Sequence, residues 1–167
     1  TRENIARLFH IDNLSRIVFT LNVTESINTI INGFLDQGDH VVTTAMEHNS
    51  VMRPLKYLEN KGRVRLSVIP CDQKGFLDMH ALGKAVDIKT ALVIINHASN
   101  VCGTIQDISA IRSVIGDIPL LVDAAQTAGC YPIDVMADSI DFLAFTGHKG
   151  LLGPQGTGGF YMREGLS

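Results

Sequence analysis

Two hydrophobic periods alternate along this chain. Compact runs of apolar, β-branched or aromatic residues predict strands at Ile17–Leu21, His40–Thr44, Val64–Pro70, Ala91–Asn96, Leu120–Asp123, Asp141–Thr146 and Gly159–Met162. Between them the period lengthens. Thr24–Leu35 places Ile27, Ile30, Ile31, Phe34 and Leu35 on one stripe, the spacing of an amphipathic helix. Val51–Asn60, Asp78–Val86 and Asp107–Ile115 follow the same spacing less regularly, and the chain begins inside a further helical pattern. Gly38-Asp39, Asn60-Lys61-Gly62 and Gly116-Asp117 supply stop signals. This alternation predicts an α/β fold, a mostly parallel seven-stranded sheet with helices on both faces. The loop before Gly159–Met162 is too short for a parallel crossover, so that strand is expected to run antiparallel to its neighbour. No repeat, low-complexity tract or internal linker divides the chain.

Composition narrows the functional classes. With 167 residues, 46% of them hydrophobic and 19% charged, the chain has enough material for one domain with a sizeable core. Fourteen Lys and Arg against 17 Asp and Glu give a formal charge of −3, which offers no electrostatic case for nucleic acid or an anionic membrane. The apolar runs are strand-sized and no signal-peptide pattern opens the chain, so no membrane association is expected. Cys71, Cys102 and Cys130 are odd in number and lack CxxC spacing. That argues against a disulfide framework and for a reducing, cytoplasmic setting; no metal site is expected.

Candidate chemistry concentrates near the end. Lys149 follows the apolar run Phe142–Phe145 and a Thr146-Gly147-His148 turn, with Gly147 and Gly150 close by. A lysine held in such a turn can attack a carbonyl and form a Schiff base, and the glycines are expected to let a bulky ligand approach the backbone. Upstream, Leu121-Val122-Asp123 ends a strand in a carboxylate, with Gln126 three residues later. Lysine for an aldehyde and aspartate for a pyridinium nitrogen are the pair that pyridoxal phosphate needs from its protein. The plainer alternatives are a solvated lysine and a helix-capping aspartate.

Leu21-Asn22-Val23-Thr24-Glu25-Ser26 enters the first long helix, where free N–H groups favour a phosphate and the Thr24 hydroxyl can add a donor. The alternative there is a plain cap by Thr24 with Glu25 in the first turn. Asn22 is expected to tolerate a left-handed turn. Gly153-Pro154-Gln155-Gly156-Thr157-Gly158-Gly159 has neither the P-loop nor the Rossmann order and reads as packing and turn chemistry.

Four separated segments, in this order, resemble the class V aminotransferase family, and within it the cysteine desulfurase and selenocysteine lyase group. They are Thr44-Ala45-Met46-Glu47-His48-Asn49-Ser50, Asn96-His97-Ala98-Ser99-Asn100-Val101-Cys102-Gly103, Val122-Asp123-Ala124-Ala125-Gln126-Thr127 and Thr146-Gly147-His148-Lys149. The resemblance runs over essentially the whole chain. It implies the large, cofactor-binding domain of a pyridoxal phosphate enzyme of fold type I, with the start of the protein and a smaller C-terminal domain lying outside these residues. It implies that Lys149 carries the cofactor, that His48 stacks on its ring, and that Asp123 holds the ring nitrogen protonated. By the same resemblance Asn100 and Gln126 serve its phenolic oxygen, and Val23, Thr24, Thr146 and His148 its phosphate. Lys149, His48 and Asp123 are the expected catalytic residues.

The activity implied is removal of sulfur from L-cysteine. A selenocysteine lyase, a plain class V aminotransferase and a catalytically silent cofactor-domain fragment are the alternatives. A homodimer and a sulfur-acceptor protein are the implied partners. The family's persulfide-forming thiol lies beyond residue 167, so Cys102 reads as a small buried hydrophobe. His10, His40, His80 and His97 match no family position and read as structural.

Overall fold

The computed structural model describes residues 1–166. In chain order it contains α1 (Arg2–Phe9), a 3₁₀ turn (Leu14–Arg16), β1 (Ile17–Thr20), α2 (Val23–Phe34), β2 (Asp39–Thr44), α3 (Asn49–Asn60), β3 (Val64–Ile69), α4 (Met79–Ala85), β4 (Thr90–Asn96), α5 (Ile108–Ile115), β5 (Leu120–Asp123), β6 (Phe142–Thr146) and β7 (Gly158–Met162). The strands form one seven-stranded sheet in the order β1-β7-β6-β5-β4-β2-β3. Neighbours from β6 to β3 are parallel, and β7 is antiparallel to both β6 and β1.

The period of two in the strands divides the core between the two faces of the sheet. Val93, Ile95, Leu120, Val122, Leu143 and Phe145 face one way and pack with α1, α4 and α5 through Phe9, Leu82 and Ile111. Their neighbours Leu92, Ile94, Leu121, Phe142 and Ala144 face the other way, onto Ile27 and Ile31 of α2 and Val51 and Leu55 of α3. Strands buried on both faces must be apolar throughout, which is why β4, β5 and β6 read as continuous runs. Each such Leu, Ile or Phe contributes about 1.5–3 kcal/mol when fully buried.

Local chemistry sets the element ends. The Asp78 and Asp107 carboxylates accept from the N–H of Ala81 and Ala110, so both residues cap α4 and α5 and neither is helical. β3 stops at Ile69 because Pro70 has no N–H to extend the ladder. α3 begins two residues before the predicted Val51, because the His48 imidazole caps it by accepting from Ser50 N–H. At the amino-terminal edge of β5 and β6, Asp141 is 2% exposed and joins three parts of the fold: it accepts from Arg112 at 2.6 Å, Arg163 at 2.5 Å and Leu120 N–H at 2.8 Å. Among the described residues no helix is long and apolar enough to cross a membrane.

Because β7 is reversed, β1 runs parallel to β6, and the carboxyl ends of β1, β2, β4, β5 and β6 lie along one edge of the sheet. In open α/β sheets that edge is where ligands bind.

Candidate active site

A cavity of about 280 Å³ opens at this edge, lined by Val23, Thr24, His48, Asn100, Asp123, Gln126, Thr146, His148 and Lys149, with Asn22, Asn96 and Ala125. All nine residues singled out from the sequence therefore meet in one place, delivered by loops after five strands. Among the described residues no cluster of three or more His, Cys, Asp or Glu side chains could hold a metal ion.

The first wall is the N-terminus of α2. Asn22, not Thr24, is the cap: its side-chain oxygen accepts from Glu25 N–H at 2.9 Å, and Glu25 reaches back to Leu21 N–H at 2.6 Å. Asn22 is extended, with φ −172°, so the left-handed turn expected there is absent. Thr24 is thereby the second residue of the helix, and its hydroxyl is released from capping. The Val23 and Thr24 N–H groups, the first two of the helix, point with the positive end of its dipole at the cavity. Opposite them the Thr146 hydroxyl meets His148 Nδ1 at 3.1 Å. Backbone N–H groups, hydroxyls and an imidazole are the donor set of a phosphate site.

Asp123 closes the floor. It is 2% exposed, and its Oδ1 accepts from Ala125 N–H at 2.9 Å. Burial pushes its carboxyl above the usual aspartate range, while that hydrogen bond and the charges of Lys149 and His48 pull it back. A cationic ring nitrogen placed there would add a further opposing charge, so the residue fits a pyridinium. His48 accepts from Ser50 N–H through Nδ1 at 3.1 Å, an arrangement that leaves Nε2 as the nitrogen carrying the proton of the neutral ring.

Lys149 is exposed at the mouth, on a loop closed by Gly147 N–H to the Thr157 carbonyl, Gly153 N–H to the Gly147 carbonyl and Leu152 N–H to the Lys149 carbonyl, at 2.7 to 2.9 Å. The glycines around it do not make room for a ligand, as the sequence had implied. A Cβ at Gly150 would stand 2.5 Å from the Ala128 carbonyl oxygen, and one at Gly147 would strike the Thr157 hydroxyl. They let the lysine turn pack onto its neighbours. Gly158 does the same for the first wall, since a Cβ there would lie 2.7 Å from Asn22 Cα.

Cys102 is exposed, not buried. The Ser99 hydroxyl gathers the Val101 and Cys102 N–H groups and Gly103 takes φ +74°, a tight turn that throws the side chain outward. The Thr104 hydroxyl donates to the Lys74 carbonyl and accepts from the thiol. His10, His40, His80 and His97 all lie outside the cavity. His40 is held between Thr90 and Ser67 and His97 against Thr127, each at 2.9 Å.

Sequence reasoning passed over Asn22, Asn96 and Ala125 in the lining, and Glu47 beneath it. Asn96 carried a signal, a lone amide closing an apolar strand at the ligand edge. Glu47 had none beyond its place beside His48.

Comparison with known proteins agrees with this geometry. A probable cysteine desulfurase of Methanothermobacter thermautotrophicus is 41% identical over 163 residues, 96% of this chain and 40% of that protein. The apo structure of a cysteine desulfurase from Thermococcus onnurineus NA1 superposes with a TM-score of 0.89 at 36% identity, covering 98% of this chain and 42% of the other. A structure titled SspA in complex with cysteine superposes at 0.90 with 33% identity, covering 98% and 48%. The chain thus spans about two fifths of the length of the curated relatives it matches. Residues 1–167 match the family described as aminotransferase class-V, and with this fold and this site the chain belongs to that family.

Proposed function

We propose that this chain is the cofactor-holding part of a pyridoxal phosphate-dependent lyase that removes sulfur from L-cysteine. The observation that carries the reading is the convergence of all nine predicted residues on one cavity whose donors suit each part of that cofactor. The names of the relatives and the complex of SspA with cysteine support the reaction and substrate. When bound, the cofactor supplies an electron sink for charge at the substrate's α-carbon.

The residues divide the remaining work. Val23 and Thr24 N–H, Thr146 and His148 bind the phosphate, which fixes the ring's position. Asp123 holds a proton on the ring nitrogen. His48 covers one ring face, its plane set by the Ser50 hydrogen bond. Asn100 and Gln126 serve the phenolic oxygen. Lys149 would hold the group through its aldehyde, and its amine is the base that would move the proton at the substrate's α-carbon. A thiol outside these residues would attack the substrate sulfur, the C–S electron pair staying with the carbon skeleton so that it leaves as alanine, and the sulfur so captured would pass to an acceptor protein. A homodimer and a cytoplasmic setting complete the proposal.

The test is covalent. Purified chain incubated with pyridoxal phosphate and then freed of excess should stay yellow, borohydride should fix the label, and peptide mapping should find it on Lys149. Lys149→Ala should stay colourless. A label on another residue, or none, overturns the reading. A second reading concerns the chain alone. Because it covers about two fifths of its relatives, it should bind cofactor yet release sulfide from cysteine slowly or not at all, and rapid release would contradict this.

A further inference from the structure

We infer that Glu47 is a positioning residue of this site, its carboxyl acting as a neutral strut that fixes the His48 loop against the carboxyl ends of β4 and β5. The inference rests on the cofactor reading above and assigns a role to a residue that lies outside the cavity lining.

The geometry is a closed set of contacts. Glu47 Oε1 accepts from the Thr44 hydroxyl at 2.8 Å and from Asn96 N–H at 2.8 Å. The Asn96 amide returns a bond to the Met46 carbonyl at 3.2 Å. Asn96 itself lines the cavity and stands in register with Asp123, whose carbonyl receives His97 N–H at 3.0 Å. One carboxyl oxygen therefore ties the end of β2, and with it His48, to the strand pair that carries Asp123. Remove it and the Asn96 N–H loses its acceptor while the 45–48 loop keeps only the Asn96 amide bond to β4.

The second oxygen explains why the strut must be neutral. Oε2 is buried and has no hydrogen-bond partner. A carboxylate oxygen left so would be costly, whereas an O–H with its charge removed is tolerated. The groups that face it offer no cation: Asp123 on β5 is a like charge, the Cys71 thiol after β3 is itself pushed up by burial and by Glu47, and Thr44 and Asn96 are uncharged. Burial first, then the Asp123 charge, push the Glu47 carboxyl up to about 8, against the pull of the Asn96 and Thr44 hydrogen bonds. Near neutral pH Glu47 thus brings no charge to the floor beside Asp123, the group that would face the ring nitrogen. As pH rises through about 8, a negative charge appears on Glu47 and the strut must solvate itself.

Wild type, Glu47→Gln and Glu47→Asp separate this role from plain packing. Gln keeps the Oε1 acceptor and cannot ionise. Asp is shorter by one methylene and cannot span from Thr44 to Asn96. Absorbance titration with pyridoxal phosphate should show wild-type affinity falling about tenfold between about pH 7 and pH 9 beyond any fall in E47Q. E47Q should match wild type near pH 7, and E47D should bind about tenfold more weakly at both values. An equal pH step in E47Q, or unimpaired binding by E47D, overturns the inference. Amide exchange on the cofactor-free chain is read in parallel. Asn96 N–H protection should fall above about pH 8 in wild type relative to E47Q at the same pH, and an identical profile in the two overturns the strut. If no variant takes up the cofactor but this exchange difference is present, the cofactor reading fails and the strut stands.

Discussion

Gly158→Ala turns the packing of the first cavity wall into a measurable quantity. An added Cβ would lie 2.7 Å from Asn22 Cα, 2.8 Å from its carbonyl carbon and 3.0 Å from its nitrogen. Comfortable carbon contacts begin near 3.5 Å, so β7 and the entry to α2 must part by roughly 0.8 Å. All three obstructing atoms are backbone, and no rotamer change relieves them. Overpacking of this kind costs about 1–3 kcal/mol, although Gly→Ala within a strand would otherwise gain about 0.5–1 kcal/mol. For a chain of this size that corresponds to a melting point lower by roughly 2 to 10 °C.

The displacement also falls on the Val23 and Thr24 N–H groups, so affinity for pyridoxal phosphate should drop about tenfold, or ~1.4 kcal/mol. Differential scanning calorimetry and absorbance titration read the two effects. Gly33→Ala is the control: Gly33 lies in α2 with nothing within 4 Å of its missing Cβ, so it should stabilise by about 0.5–1 kcal/mol without touching affinity. A G158A protein that melts at or above wild type and binds cofactor as tightly would refute the reasoning.

Two further predictions concern stability. Asp141→Ala strips the part-buried Arg112, 17% exposed, of its carboxylate partner, leaving it only backbone carbonyls, and leaves the Leu120 N–H without its acceptor; it should cost about 3–5 kcal/mol in chemical denaturation; because Asp141 precedes β6 at the end away from Lys149, cofactor affinity below the melting range should stay within about twofold of wild type. Burial pushes His97 down to about 4, so its neutral form is favoured in the folded chain and the unfolded chain binds more protons between about pH 4 and 6.5. Its contribution is present in full above about pH 6.5 and is lost as pH falls toward 4, worth ~3 kcal/mol at most; His97→Asn should flatten that acid limb of a stability–pH curve, and an unchanged slope would contradict the assignment.

Much of this was legible in the chain because the sheet is buried on both sides. Leu121, Val122, Leu143 and Ala144 had to be apolar wherever they pointed, so β5 and β6 announced themselves, and their polar successors Asp123 and Lys149 marked the ligand edge. What the pattern left open were choices among chemically similar residues. Asn22 and Thr24 can both cap a helix, and only the chain path shows that Asn22 does. Glycine reads the same whether it admits a ligand or a neighbouring carbonyl, and at Gly150 the neighbour is Ala128. Cys102 looked like a buried hydrophobe because the Ser99 turn that exposes it is set by hydroxyl geometry and not by hydrophobic period. Glu47 was silent for a related reason: it is buried against groups 49 and 76 positions away, Asn96 and Asp123, which sequence spacing does not connect.

The reversed strand has a temporal corollary. Thr20 pairs with Gly158, so β1 has to wait for about 140 further residues before its partner exists. At roughly 5–20 residues per second on the ribosome that is an interval of about 7 to 28 s. Throughout it, the exposed apolar residues Val18, Phe19 and Leu21 border an unpaired edge while the helix behind them can already form. The cavity at this edge is therefore complete only after β7 is made, and a ligand that grips α2 and the lysine turn together would act as a clasp between early and late parts of the sheet.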